Sequence, residues 1–230
     1  LGTFDTGKVT DMSLMFSDCK KLQTLDLSSF ETGKVTNMSY MFSNCQELQT
    51  LNLSSFDTGK VTDMSCMFDD CWKLRTLDLS SFDTGKVTDM SCMFDQCAAL
   101  QTLDLSNFNI ENVTEMSEMF YGCERLKKLN LGNFNTKNGD IDSSLTNEDI
   151  DISLMFEKCD QLENIFYSGT EDIEQLKKDF EIFGDLRSDL ADRVLKKSDP
   201  VLDNFSYIDK SNRTKQEDRL PGGDEKGTIV

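Results

Sequence analysis

Apolar and polar positions along this chain recur every 26 residues. Phe4, Phe30, Phe56, Phe82, Phe108 and Phe134 form one column, Val9, Val35, Val61, Val87 and Val113 a second, and Cys19, Cys45, Cys71, Cys97 and Cys123 a third, which Cys159 resumes after a delay. A fixed period in the range of about 20 to 50 residues signals a repeat architecture before any local structure is considered. Within a unit, the alternation Leu25-Asp26-Leu27 predicts a strand with leucines inward and Thr24, Asp26 and Ser28 outward. Asp5-Thr6-Gly7-Lys8 reads as a turn, and Val9 to Met12 as a second short extended piece. The spacing then changes. Met12, Met15, Phe16 and Cys19 fall at i, i+3, i+4 and i+7, which predicts one to two helical turns capped by Asp11 or Ser13.

A unit of this kind has a single apolar side and becomes stable only by stacking on its neighbours, with like residues in register. The expectation is therefore an α/β repeat solenoid, leucine-rich-repeat-like, of about six 26-residue coils spanning residues 1–167, each coil with a short strand and a short helical segment. The stretch from Phe134 to Met155 exceeds that from Phe4 to Met15 by about ten residues, which places an insertion near 137–149 in the last coil. Residues 168–198 then carry an apolar stripe at Ile173, Leu176, Phe180, Phe183, Leu186, Leu190 and Val194, with Ser168 and Glu171 at capping-box spacing. They predict a helical cap over the open end of the stack. The polar stretch 199–230 reads as a tail or linker.

Units such as Thr76-Leu-Asp-Leu-Ser-Ser-Phe-Asp-Thr-Gly-Lys-Val-Thr-Asp-Met-Ser-Cys-Met-Phe-Asp-Gln-Cys97, and their neighbours, resemble the BspA-type leucine-rich repeat, in the 25- to 26-residue variant also found in mycoplasma lipoproteins. The resemblance runs from Leu1 to about Tyr167. It implies a surface-exposed or secreted bacterial protein acting in adhesion to host or neighbouring-cell proteins, and it brings no shared catalytic residues.

Composition narrows the function classes. The formal charge of −18 repels phosphate backbones and anionic lipid, so nucleic acid is not an expected partner. No run of roughly 18 apolar residues is present to insert into a membrane. With no histidine, Ser-His-Asp and Cys-His catalysis are ruled out, and a non-enzymatic chain is expected. Leu1-Gly2-Thr3-Phe4 is neither an initiator Met nor a signal peptide, so the sequence reads as a piece of a longer protein.

Several constellations carry possible chemistry. The Met columns at Met12 and Met15, with Cys four residues on, could suggest soft-metal ligation but read as core filling beside Phe16. The Cys19 column is expected to hold free buried thiols, while Cys66 and Cys92 share a column with Leu14, Tyr40 and Glu118 that is expected to be partly exposed. Asp57-Thr58-Gly59 and its copies match the D-T-G of aspartic proteases, yet recur because the turn recurs. Acid rows such as Asp57 over Asp83, Asp63 over Asp89 and Asp78 over Asp104, and the cluster Asp140, Asp142 and Asp149 in the insertion, are candidates for weak Ca²⁺ binding; no other cofactor is expected. Variability concentrates at Lys20, Gln46, Trp72, Ala98, Glu124 and Asp160, where stacking makes no demand. Trp72, with Tyr40 and Tyr121, is therefore the expected partner-binding set, and extracellular or host-cell proteins are the expected partners. The competing expectation is a passive spacer that presents another domain.

Overall fold

The computed structural model of the chain describes residues 4–132, 153–167 and 195–197. The chain divides into two units, Leu1–Ser198 and Asp199–Val230, the second lying outside the described residues, as do the insertion near 137–149 and Asp140, Asp142 and Asp149.

Unit one is a stack of coils in which equivalent residues meet one repeat apart. The Leu-x-Leu segments from the second coil onward contribute to short parallel strands β1 (Thr50–Leu51), β2 (Thr76–Leu77), β3 (Thr102–Asp104) and β4 (Lys128–Gly132), and β5 (Asn164–Tyr167) and β6 (Leu195–Lys197) follow them, whereas Leu25-Asp26-Leu27 of the first coil forms no strand. Two of these pair as β1-β2 and four as β3-β4-β5-β6, in the register Thr50 to Thr76, Leu51 to Leu77 and Leu103 to Leu129. Parallel pairs of this kind are slanted ladders whose side chains stack in rows. Leu27, Leu53, Leu79, Leu105 and Leu131 point into the core as the alternation predicts. The second extended piece also forms, as a chain of parallel bridges from Asp11 through Asn37, Asp63 and Asp89 to Glu115.

The predicted helix does not form, and no helix occurs among the described residues. Leu14 and Asp18 have φ near +60°, as do Tyr40, Asn44, Cys66, Asp70, Cys92 and Gln96, values that interrupt any right-handed helix. The segment is a run of tight turns: Met15 N–H donates to Met12, Ser17 to Leu14, and Cys19 to Phe16. In the second coil the four-residue turns centred on Ser39-Tyr40 and Ser43-Asn44 bury their first and last residues, and their left-handed third residue is the type II signature; the equivalent Met15 and Cys19 of the first coil are exposed. Inward positions thus fall at 38, 41, 42 and 45, the same spacing that a helix would give. What decides between the two is the axial bonding. N–H groups of Met12, Leu14, Phe16 and Asp18 donate to the carbonyls of Asn37, Ser39, Met41 and Ser43 in the next coil, and the pattern repeats down the stack. A helix would consume those groups internally; the turns leave alternate ones free to tie coil to coil.

At the other end, Leu195–Lys197 was expected to close a helix; it is instead strand β6, paired in parallel with β5 at Ile165 to Leu195. Residues 168–194 lie outside the described residues.

Side chains reinforce the stacking in three columns. Phe16, Phe42, Phe68, Phe94, Phe120 and Phe156 form a continuous ring stack, with centroids 5.6, 5.7, 5.7, 5.8 and 5.5 Å apart in sequence and ring planes within 13°. Buried Met38, Met41, Met64, Met67, Met90 and Met93 share this core with them, which accounts for both Met columns. All eight cysteines are free; in the main column the thiols of Cys45, Cys71, Cys97 and Cys123 each donate to the carbonyl of a Phe in the preceding coil, as Cys71 does to Phe42 at 3.2 Å. Cys19, in the first described coil, is exposed.

The D-T-G turn is a third fastening. Thr58 Oγ1 accepts from Asp83 N at 2.8 Å and donates to Asp83 O at 2.9 Å, and Thr6, Thr32 and Thr84 repeat this clamp on Glu31, Asp57 and Asn109. Asp57 Oδ1 meanwhile accepts from Gly59 N, closing the turn locally. Each residue of the motif has a structural task within the stack.

Candidate functional site

Two turn positions outside the buried Met, Phe and Cys rows, the third residue of the first turn and the second of the next, vary from coil to coil. The first such column holds Leu14, Tyr40, Cys66, Cys92, Glu118 and Leu154; the next, three residues on, holds Ser17, Ser43, Asp69, Asp95, Tyr121 and Glu157. A peptide bond pattern joins them, with Asp69 N–H donating to Cys66 O and Asp95 N–H to Cys92 O. The two columns therefore share one strip of surface.

Trp72 projects from the following turn, 48% exposed, with its indole Nε1 donating to Asp70 Oδ1 at 2.8 Å. It sits on a turn and not beside a helix. Tyr40 is 41% exposed, but its hydroxyl donates to the Cys66 sulfur, which pushes its pKa up to about 12. Tyr121 is half-buried, accepts a hydrogen bond from Lys158 Nζ and lies under that ammonium, 4.5 Å from the ring centroid. Among the described residues no ring contact joins Trp72 to either tyrosine, so the three expected anchors form separate points along the turn face.

Coils three to five hold a denser group. Cys92, Asp95 and Glu118 present a sulfur and two carboxylate oxygens that all lie within 4.8 Å of one another. Cys66 adjoins them: Cys92 donates its S–H to the Cys66 sulfur, which holds the Cys66 thiol below its ordinary value and Cys92 above it. Cys66 is buried and Cys92 half-buried, so only the second fits the partial exposure expected of this column. Burial, reinforced by the neighbouring carboxylates, pushes Asp95 up to about 7 and Asp69 up to about 6.

The stack explains why Asp95 is the more perturbed. Ser43, one coil earlier, donates to Asp69 Oδ2 at 3.2 Å, so a donor sits beneath that acid. Beneath Asp95 the equivalent residue is Asp69 itself, an acceptor. Asp95 Oδ1 is consequently enclosed with no hydrogen-bond partner.

This arrangement gives stability a definite pH dependence. Below about pH 4 Asp95 is protonated in both folded and unfolded chains and contributes nothing; as pH rises, the unfolded chain ionises first, and the folded state loses stability until pH passes about 7. Asp95→Asn is expected to match wild type in melting temperature at pH 4 and to exceed it increasingly up to pH 8, measured with chelator present. A lower melting temperature than wild type at pH 8 would show that the carboxylate stabilises the fold.

The family described as "Mycoplasma protein of unknown function, DUF285" matches residues 1–76, 44–160 and 70–192. The chain belongs to this family. The three matches overlap, and each spans several consecutive coils. No curated protein and no solved structure matches the chain. In this DUF285 chain the sequence pattern marked Cys66, Cys92 and Trp72, but Asp69, Asp95 and Glu118 escaped notice as a group. Their signal was present in two columns three residues apart, and a helical reading obscured it: on a helix, positions 14 and 17 would have been ordinary surface neighbours with right-handed backbone. No helix among the described residues is long and apolar enough to cross a membrane.

Proposed function

We propose that this chain is a non-enzymatic protein-binding segment of a bacterial cell-surface or secreted protein, adhesive in the manner of BspA-type leucine-rich-repeat proteins, and that it contacts partners through the turn face. The observation that carries this reading is the division of labour within each coil. Positions that stack hardly change, whereas the outward turn positions differ from coil to coil and include an exposed tryptophan, the residue type that most often anchors interfaces. The formal charge of −18 favours extracellular or host-cell proteins with basic surfaces around an apolar pocket.

Capture of binding proteins from extracellular-matrix and cell-surface extracts, compared between wild type and Trp72→Ala, tests the reading. Trp72→Ala is expected to weaken binding at least about tenfold, a hot-spot loss, with an unchanged melting temperature because the side chain is half in solvent. Equal capture by both would remove Trp72 from the interface. Capture of nothing by wild type would favour the second reading, a passive spacer, which the near-identity of residues 56–81 and 82–107 supports.

A further inference from the structure

We propose that Cys92, Asp95 and Glu118 form a binding site for a divalent transition-metal ion of the zinc class, with Cys66 beside Cys92 as a fourth donor. This inference goes beyond the partner-binding reading and does not depend on it. Two observations support it independently. The first is convergence: a sulfur and two carboxylate oxygens from two adjacent coils all lie within 4.8 Å of one another. A shell with metal–oxygen and metal–sulfur bonds of about 2.0 to 2.3 Å closes on such atoms after modest side-chain rotation. The second is the enclosed, unpartnered Asp95 Oδ1. Buried polar atoms normally have a partner, and here the neighbouring coil offers an acid where a donor is needed.

Chemistry selects the ion. Calcium and magnesium take oxygen donors alone, whereas a thiolate with carboxylates suits a borderline cation such as Zn²⁺. No arginine or lysine forms an ion pair with Asp69, Asp95 or Glu118 among the described residues; Lys158, whose charge is felt by Asp95, is engaged with Tyr121. The Cys66 sulfur is the natural fourth ligand because it already accepts hydrogen bonds from Cys92 and Tyr40. On binding, the thiol protons of Cys92 and Cys66 and any proton on Asp95 leave to solvent, and the cation takes over the role of those protons between the acids.

None of these residues is required by stacking. Their columns carry Leu14 and Tyr40, and Ser17 and Ser43, in the earlier coils. The site is thus a local specialisation of one part of an otherwise repetitive wall.

The test uses the full chain, reduced and stripped of metal. Co²⁺ is expected to produce a thiolate-to-cobalt charge-transfer absorption that stoichiometric Zn²⁺ abolishes, and Zn²⁺, but not Ca²⁺, is expected to raise the melting temperature. Cys92→Ser should eliminate or shift the cobalt band, and Asp95→Asn should weaken Zn²⁺ affinity at least about tenfold. Asp95→Asn relieves a buried charge and folds at least as well as wild type, so its loss of metal response is not a loss of structure. A cobalt band unchanged in both variants, or no band in wild type, would overturn the proposal.

Discussion

Phe68→Ala is expected to lower the unfolding free energy by about 3 to 5 kcal/mol, the range for truncating a fully buried aromatic side chain. Phe68 is 0% exposed and lies between Phe42 and Phe94, 5.7 Å from each and nearly parallel to both. Removing the ring leaves a cavity and breaks two stacking contacts, each worth about 0.5 to 1.5 kcal/mol beyond burial. Phe16→Ala is the informative comparison, because Phe16 has a stacked ring on one side only, with Phe30 tilted against it at 6.3 Å. Its loss should be smaller. The measurement is urea denaturation followed by circular dichroism, and equal losses at both positions would show that the ring column does not couple the coils. Stability in repeat arrays is a sum of unit and nearest-neighbour contributions. A weakened interface in mid-stack should therefore also split one transition into two.

A second large loss is expected at Gly132. Its φ is +50°, and an added Cβ would lie 2.4 Å from Ser106 Cα and 2.6 Å from Ser106 O, both backbone atoms that cannot swing away. Left-handed backbone costs a non-glycine residue roughly 1 to 2 kcal/mol, and overpacking adds typically 1 to 3. Gly132→Ala should thus lose about 2 to 5 kcal/mol in the same assay. Gly132 closes β4 at a register irregularity, where Asn130 Oδ1 accepts its N–H, so glycine is what allows the strand to end in a bulge. Gly85→Ala is the control: a Cβ there meets only side chains, the Asp83 carboxylate at 3.2 Å and Asn109 Nδ2 at 4.0 Å, and the expected change is under about 1 kcal/mol. A comparable loss at both glycines would refute the backbone-clash account.

Much of this architecture was legible in the residues, for reasons that particular positions make plain. The columns of Phe, Val and Cys sit one repeat apart because parallel stacking repeats each environment, and Leu51 over Leu77 confirms the register. The spacing of Met12, Met15, Phe16 and Cys19 misled because two successive tight turns bury the same relative positions as a short helix, as Met38, Met41, Phe42 and Cys45 show. Only the left-handed backbone at Leu14 and Asp18 tells them apart, and neither residue type announces it: leucine and aspartate there are held by axial hydrogen bonds to Ser39 and Ser43, not by intrinsic preference. Asp95 was illegible for a different reason. Its environment depends on Asp69 one coil below and on Glu118 one coil above, a relation visible only once the stack is drawn.

The axial bonding also bears on how such a chain changes length. Among the described residues each coil gives its N–H groups to the same positions of the next one, so excising or duplicating a whole 26-residue block there leaves the freshly joined faces with their fastenings. Recombination between the near-identical blocks 56–81 and 82–107 would yield shorter or longer variants that still fold, whereas a slip of one or two residues would turn the Phe column into solvent. Reach and the spacing of the outward residues can thus evolve in whole steps without renegotiating the core.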